Sequence, residues 1–177
     1  MDALIADCRP ADRYRHSSPL HVVAFHLDGT TRVEWRRGSR LTRFASEPGS
    51  LTIIPAGGDH WFRSDRPARA LFWMIDPAQL RSIAEQEWGE PTVEILEACN
   101  VRDAEFWALD RQLAARMLSP IPGSRPCAEA LDTLLALHLL WNHSTLPRRD
   151  DGWAERPADP RLRPVVDDNS MGAKTGT

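Results

Sequence analysis

The chain has few cysteines, almost no lysine, no long apolar run and no large net charge. Three widely spaced cysteines, Cys8, Cys99 and Cys127, fit neither a disulfide framework nor a zinc knuckle. No apolar run approaches the roughly 18 residues of a membrane span, and no basic stretch precedes an apolar segment at the N-terminus. A net charge of −3 provides no field that attracts nucleic acid. We therefore expect a cytoplasmic protein with reduced thiols and no membrane partner.

The segment of residues 49–60, GSLTIIPAGGDH, carries the strongest local pattern. Gly49 makes a tight turn with positive φ, residues 51–54 form a short buried strand, and the following proline and glycines turn the chain so that His60 opens the next strand. The segment resembles the second cupin motif, G-x5-P-x-G-x2-H-x3-N, with Ser64 in place of the final Asn. The resemblance implies that His60 points into or near the mouth of a barrel.

The first part of the chain alternates β-rich runs with turn signals, whereas the rest is helical. Short strands at regular spacing favour a sandwich or a closed jelly roll, because closure hides the edges of so apolar a sheet. The predicted strands are residues 20–27, 32–37, 40–44, 51–54, 60–63, 68–75 and 92–96. We predict an α+β fold, mainly β: a cupin-type jelly-roll barrel over about residues 18–97, followed by an antiparallel helical pair over about residues 102–144.

Two aspartates mark helix starts, and the last helix is unusually apolar. Asp76 is a candidate N-cap with Pro77 at the first helical position, and Asp103 is a second candidate cap. The last helix, about residues 126–143, has more large apolar residues than the roughly 100° stripe that docks on one core. It therefore predicts two apolar neighbours. The residues predicted to form a dimer interface are Leu131, Leu134, Leu135, Leu137, Leu139 and Trp141.

This order of elements resembles the sensor half of the AraC/XylS family of bacterial transcription regulators. The resemblance covers roughly residues 20–144 and rests on residues 48–60, residues 76–80, the Arg102-Asp103 helix start and the leucine-rich last helix. It implies that the barrel binds a small organic effector and that the two helices form a dimer interface. Two alternatives stay open: both helices simply pack on the barrel, or the chain is a stand-alone cupin enzyme or metabolite-binding protein.

The DNA-binding half of that family is missing from this sequence. Residues 161–167 resemble the opening of its first helix, but residues 168–177 abandon the pattern, and two helix-turn-helix units cannot be built from what is left. We expect residues 1–145 to form the sensor and dimerisation domain, and residues 146–177 a linker and a truncated, disordered tail. Expected partners are a second copy or a full-length relative as a heterodimer, with no direct specific binding to DNA.

Candidate ligand-binding residues combine aromatic rings with polar groups, which suits a small polar organic ligand such as a sugar or a carboxylate. The residues are His26, Trp35, Arg37, Arg43, His60 and Trp73. The strand at residues 68–75 is apolar on both faces, so the sequence leaves open which face lines the pocket.

Signatures of metal binding and catalysis are weak in this sequence. His21 and His26 lie an odd number of residues apart and point to opposite faces of one strand, so they cannot chelate together. His60 with either of them gives two ligands, whereas a catalytic metal normally has three protein ligands. No nucleophile signature or phosphate-binding loop occurs. We expect no metal, no cofactor and no enzyme activity, His138 as a hydrogen-bonded core or interface residue, and His16 and His143 on the surface.

Overall fold

A computed structural model of the protein describes residues 2–119 and 121–147, so the predicted tail and nearly all of the predicted linker lie outside the described residues. This part of the chain contains nine strands and three helices. They are β1 (Asp2–Cys8), β2 (Ala11–Ser17), β3 (His21–Asp28), β4 (Thr31–Arg37), β5 (Arg40–Ser46), β6 (Ser50–Ile54), β7 (Asp59–Ser64), β8 (Ala68–Ile75), α1 (Pro77–Trp88), β9 (Ala98–Arg102), α2 (Ala104–Leu118) and α3 (Ser124–Asn142).

The strands form two antiparallel sheets, with the orders β1-β8-β3-β6-β9 and β2-β7-β4-β5. Within residues 2–119 and 121–147 no strand ladder joins the two sheets. The prediction of a closed barrel is therefore wrong, and the strands form a β-sandwich of two antiparallel sheets. Each sheet therefore has edge strands with one unpaired side. The edge strands β1, β2 and β5 carry charged side chains, which disfavour pairing with a strand of another chain.

The five-stranded sheet is apolar on both faces. Val23, on β3, lies in the larger core cluster, which includes Leu80 of α1, Phe106 of α2 and Leu135 of α3. Its neighbour Val22 points the other way, into a smaller cluster that holds residues of the four-stranded sheet. Residues 2–119 and 121–147 therefore form three layers, with helices on one face of the central sheet and the second sheet on the other.

The predicted helix starts and the glycine turn are confirmed. Asp76 Oδ1 accepts a hydrogen bond from the Ala78 N–H at 2.7 Å, and Pro77 is the first helical residue. Asp103 caps α2 in the same way, with Oδ1 3.0 Å from the Phe106 nitrogen. Gly49 has φ +88°, the left-handed conformation that the turn before β6 requires. Helix α2 contacts α3; the antiparallel pair stays a prediction.

Three strands differ from the prediction. β1 and β2 were not predicted, and the strand expected at residues 92–96 lies instead at Ala98–Arg102. Within residues 92–96, Ile95 makes one isolated bridge to Ser144. All three are edge strands, and an edge strand needs only part of the apolar pattern of a central strand, because one side faces solvent.

The six predicted interface residues divide into two groups. Leu131, Leu135 and Leu139 are buried inside the chain in the large core cluster, so they are unavailable to a partner, and the prediction is corrected for these three. Leu134 and Trp141 are 48% and 41% exposed, and Leu137 is half-buried. Of the six, only Leu134, Leu137 and Trp141 are therefore left on the outer side of α3, and their role in a dimer interface stays a prediction. Among the described residues, none of the helices is both long and apolar enough to cross a membrane.

Asp110 is an exception in the helical layer, because a carboxyl group is fully buried among apolar side chains of α2. Neither carboxylate oxygen has a hydrogen-bond partner among the described residues. Burial raises the pKa of Asp110 to about 7. The folded state therefore binds this proton more tightly than the unfolded state, and ionisation of Asp110 destabilises the fold.

We expect Asp110→Asn to remove a pH-dependent loss of stability. Because the pKa of Asp110 is raised in the folded state, protonated Asp110 favours the folded state at low pH. This contribution to the free energy of unfolding is lost as pH rises from about 4 to about 7, at about 1.4 kcal/mol per pH unit at most. The difference in free energy of unfolding between variant and wild type, from urea titrations at pH 5 and pH 8, should grow by a few kcal/mol in favour of the variant. The exposed Glu87→Gln change is the control; equal differences at both pH values for Asp110→Asn would contradict the assignment.

Candidate functional site

His60 lies between the two sheets and not at their outer rim. It is the second residue of β7, pairs directly with His16 of β2, and its side chain is completely buried. The ring centroid lies 4.8 Å from that of Trp35 on β4, and Trp35 is only 2% exposed. The motif therefore does bring its histidine inward, next to one of the predicted tryptophans.

Gly58 makes room for the His60 ring. A Cβ atom at residue 58 would collide with His60 Cε1 and would lie 2.9 Å from Nδ1. Residue 58 therefore needs to be glycine because of the nearby His60 ring, whereas residue 57 favours glycine because its φ is positive.

Glu97 connects His60 to the surface. Its Oε2 lies 3.1 Å from His60 Nε2 and 2.5 Å from Arg37 Nη1. The Arg37 side chain is 54% exposed, that of Glu97 19%, and that of His60 is buried. A carboxylate only accepts hydrogen bonds, so a neutral His60 donates from Nε2, and its Nδ1 is left as an acceptor. Arg37, Glu97 and His60 therefore form a polar chain from solvent to the interior.

A bulge in β9 follows Glu97. The pairing of β6 with β9 shifts register between Leu51 and Ile53, and Asn100 has a positive φ of 55°, which asparagine tolerates better than most residues. Cys99, inside the bulge, packs against the small core cluster. Burial, with the nearby Glu97 charge, raises the pKa of Cys99 to about 11, so the thiol stays protonated and is a weak nucleophile at neutral pH.

Three polar side-chain atoms, one of His60 and two of its neighbours, are buried and have no hydrogen-bond partner among the described residues. They are His60 Nδ1, His16 Nε2 and Trp35 Nε1. Burial, followed by the effect of His60, lowers the pKa of His16, so this ring is held neutral. The expectation that His16 lies on the surface is corrected by its half-buried position opposite His60. Buried polar atoms of this kind are normally satisfied, so these three atoms are candidate contacts of a bound polar molecule.

The remaining predicted ligand-binding residues lie elsewhere, and the prediction is corrected for them. Trp73 is buried on the helical side of the central sheet, where its ring contacts Phe106 edge to face. His26 uses both ring nitrogens, with Nε2 2.8 Å from the Gly29 carbonyl and Nδ1 2.8 Å from Ser46 Oγ. Arg43 is on the outer face of its sheet, paired with Glu34. Of the six predicted residues, Trp35, Arg37 and His60 are brought together.

A depression of about 230 Å³ lies away from this group. Its lining residues are Thr30, Arg32, Ala45, Asp65 and Arg66. Asp65 is engaged by the Arg32 backbone N–H and the Thr31 hydroxyl, which closes the neighbouring turn. The candidate site is therefore the set of buried polar atoms at and beside His60 and not this depression.

Similar solved structures are cupin-fold proteins. They include a DUF861-family protein from Thermotoga maritima (15% identity, TM-score 0.34, 41% of this chain and 77% of that one) and the DMSP lyase DddQ from Ruegeria pomeroyi (25%, 0.36, 42% and 38%). An oxalate decarboxylase of Bacillus subtilis is also similar (15%, 0.36, 49% and 28%). Each similarity spans less than half of this chain. No protein-family model and no curated protein matches the sequence.

The prediction that this chain is not an enzyme is corrected by these comparisons. Two of the similar proteins, the DMSP lyase and the oxalate decarboxylase, are enzymes. The prediction was based on the lack of a metal motif, a nucleophile signature and a phosphate loop in the sequence, and that lack leaves other kinds of catalysis open. At such low identity and coverage the similarity assigns no reaction to this chain, and regulator identity is not shown by it either.

We expect Gly58→Ala to destabilise the protein by about 1–3 kcal/mol, because the added methyl group overpacks against the His60 ring. A double-mutant cycle with His60→Ser tests the cause. If the ring is the obstacle, Gly58→Ala should cost much less in the His60→Ser background, as measured by denaturant unfolding. Equal costs in the two backgrounds would show that the glycine is needed for another reason.

Proposed function

We propose that this chain is a cupin-type domain that binds a small polar organic molecule between its two sheets, beside His60. The observation that supports this most is the grouping of His60 Nδ1, His16 Nε2 and Trp35 Nε1, three buried polar atoms without partners in the described part of the chain. Ligand sites are typically apolar spaces with a few convergent polar groups, and the aromatic rings of Trp35 and Phe62, 4.5 Å apart, supply the apolar part.

The hydrogen-bonding roles at this site favour a hydroxyl-bearing ligand. His60 Nδ1 is an acceptor when Nε2 donates to Glu97, whereas the Trp35 indole N–H can only donate. A hydroxyl group is the smallest group that donates to the first and accepts from the second. Polyols, sugars and hydroxy acids all carry it.

The Arg37–Glu97 ion pair sets the charge preference and the route of entry. It adjoins the Nε2 atom of His60, and side-chain exposure rises from His60 through Glu97 to Arg37. A ligand carboxylate would compete with Glu97 for the Arg37 guanidinium, which suits bidentate carboxylate binding. We therefore favour a hydroxy acid or an acidic sugar over a neutral polyol.

We further propose that the binding domain is the effector-sensing half of an AraC-type transcription regulator, acting in the cytoplasm as a homodimer or as a heterodimer with a full-length relative. The order of a β-sandwich followed by α2 and α3, the Asp76 and Asp103 caps and the partly exposed apolar side of α3 support this role. In it, the chain of residues 1–145 senses and dimerises, and specific DNA binding is left to other residues.

A catalytic use of the same site is the second candidate. The 3.1 Å contact between His60 Nε2 and Glu97 is an imidazole–carboxylate pair that can accept and return a proton. The two uses differ in one measurable respect. A sensor binds its ligand unchanged, whereas an enzyme converts it, and His60→Gln would then abolish conversion more than binding.

We expect thermal-shift screening of hydroxy acids, sugars and polyols to find a ligand whose affinity falls roughly tenfold in Trp35→Phe. This variant keeps an aromatic six-membered ring but removes the N–H together with the rest of the five-membered ring, so the loss combines one neutral hydrogen bond, about 0.5–1.5 kcal/mol, with lost packing contacts. Trp88→Phe, outside the site, is the matched control, and mass spectrometry of the recovered ligand separates binding from turnover. A ligand whose affinity is the same in Trp35→Phe, His60→Gln and wild type would place binding elsewhere.

We expect Leu134→Glu to convert a dimer to a monomer without unfolding it, because Leu134 is half-exposed on the outer side of α3. Leu139→Glu is a contrasting variant: its side chain is fully buried, so an unpaired charge there should prevent folding. Light scattering combined with circular dichroism distinguishes the two outcomes. A monomeric wild-type protein at micromolar concentration would remove dimerisation from the proposal.

A further inference from the structure

Three side chains with metal-binding chemistry converge where α2 begins and α3 ends. Asp103 Oδ2 lies 2.8 Å from His138 Nε2 and 3.0 Å from His143 Nε2. The three ligand atoms all lie within 4.8 Å of one another. Their side chains are 11–16% exposed, so the group is shielded from bulk water but can be reached from solvent.

The backbone around two of these residues is fixed by hydrogen bonds. Asp103 Oδ1 accepts from the Phe106 N–H as the cap of α2, which leaves Oδ2 to the histidines. His143 leaves the helix as the C-cap residue of α3, and its carbonyl oxygen accepts from the Leu96 N–H at 2.9 Å. The group is therefore held by the secondary structure and not by flexible side chains alone.

Neighbouring residues orient the two imidazole rings. The Phe106 ring lies 4.8 Å from the His138 ring and stacks on the His143 ring at 5.9 Å. Glu105 Oε2 lies 3.7 Å from His138 Nδ1. A carboxylate at the far nitrogen is a recurrent partner of histidines that bind metals. The Asn142 amide, whose nitrogen lies 3.2 Å from His138 Nε2, could offer its oxygen as a fourth ligand after rotation.

We propose that Asp103, His138 and His143 bind a divalent transition-metal ion of the zinc and iron(II) type. Two imidazoles and one carboxylate form the ligand set of many such sites, whereas magnesium and calcium prefer oxygen ligands alone. Ligand atoms around a tetrahedral ion with bonds of 2.0–2.1 Å are separated by about 3.3 Å. The two carboxylate–imidazole separations would need to open by a few tenths of an ångström, and the two imidazole nitrogens, which lie within 4.8 Å of each other, would need to approach by up to about 1.5 Å.

This site is separate from the His60 site and does not depend on the proposed function. The histidines contact Phe106, which belongs to the core cluster on the helical side of the central sheet, whereas His60 lies on the other side. From the sequence, only His21, His26 and His60 were candidate metal ligands. A bound ion would join the start of α2 to the end of α3 and stabilise the helical layer.

The test uses the full chain, purified without a histidine tag, stripped with a chelator and dialysed against Zn²⁺ or Co²⁺. We expect one bound ion per chain and a visible absorption spectrum typical of four-coordinate Co²⁺. The melting temperature of the protein should be higher in the presence of Zn²⁺ than in its absence. His138→Gln, His143→Gln and Asp103→Asn should each lower Zn²⁺ affinity about 100-fold or more, since even outer partners of a metal site change affinity 10–100-fold. Asp103→Asn is the decisive variant because asparagine still caps α2.

Two controls separate this site from others. His60→Gln should keep Zn²⁺ affinity, and Mg²⁺ should not compete. Wild-type protein that binds no Zn²⁺ would overturn the proposal, and so would undiminished binding in folded Asp103→Asn. Loss of Zn²⁺ in His60→Gln with retention in His143→Gln would place the ion between the sheets and would also overturn it. Circular dichroism of each variant shows whether it is folded.

Discussion

The structure depends on a central sheet that must be covered on both faces. Neighbouring residues of β3, Val22 and Val23, are both buried, and they point into different core clusters. A large apolar side chain contributes about 1.5–3 kcal/mol when it is buried, so neither face can stay exposed to water. The helices cover one face and the four-stranded sheet covers the other. This requirement separates the molecule into two chemical environments: a polar group with His60 between the sheets, and a second group with His138 in the helical layer.

Much of the secondary structure follows from local sequence, because the signals are local. Alternation and glycine turns identified six strands close to their observed bounds, and the Asp76 and Asp103 caps located two helices. The sequence did not reveal β1, β2 and β9, since edge strands need fewer apolar residues. It also suggested a closed barrel, because the same alternation is compatible with one closed sheet or with two open ones.

The candidate site was predictable only where one short segment defines it. Gly58 and His60 are two residues apart, so their contact is visible as a motif. Glu97 lies 37 residues from His60 in sequence, and no local pattern connects a single glutamate to a distant strand. The face of β8 that carries Trp73 could not be assigned from sequence, because β8 is apolar on both faces; the position of the helices shows that Trp73 faces the helical layer. His143 was expected on the surface because the chain bend after α3 that turns it inward has no sequence signature.

The pairing of β1 with β8 has a consequence for how the chain folds. Asp2 pairs with Met74 and Cys8 with Ala68, so the ladder closes a loop on the order of 60 residues. Contacts between residues so far apart cost chain entropy before they contribute stability, and proteins dominated by such contacts fold in milliseconds to seconds. During synthesis the first strand must wait until β8 has left the ribosome. β1 is unpaired throughout that interval, and its Leu4, which is exposed even in the folded chain, adds an apolar side chain to a strand that can associate with other chains.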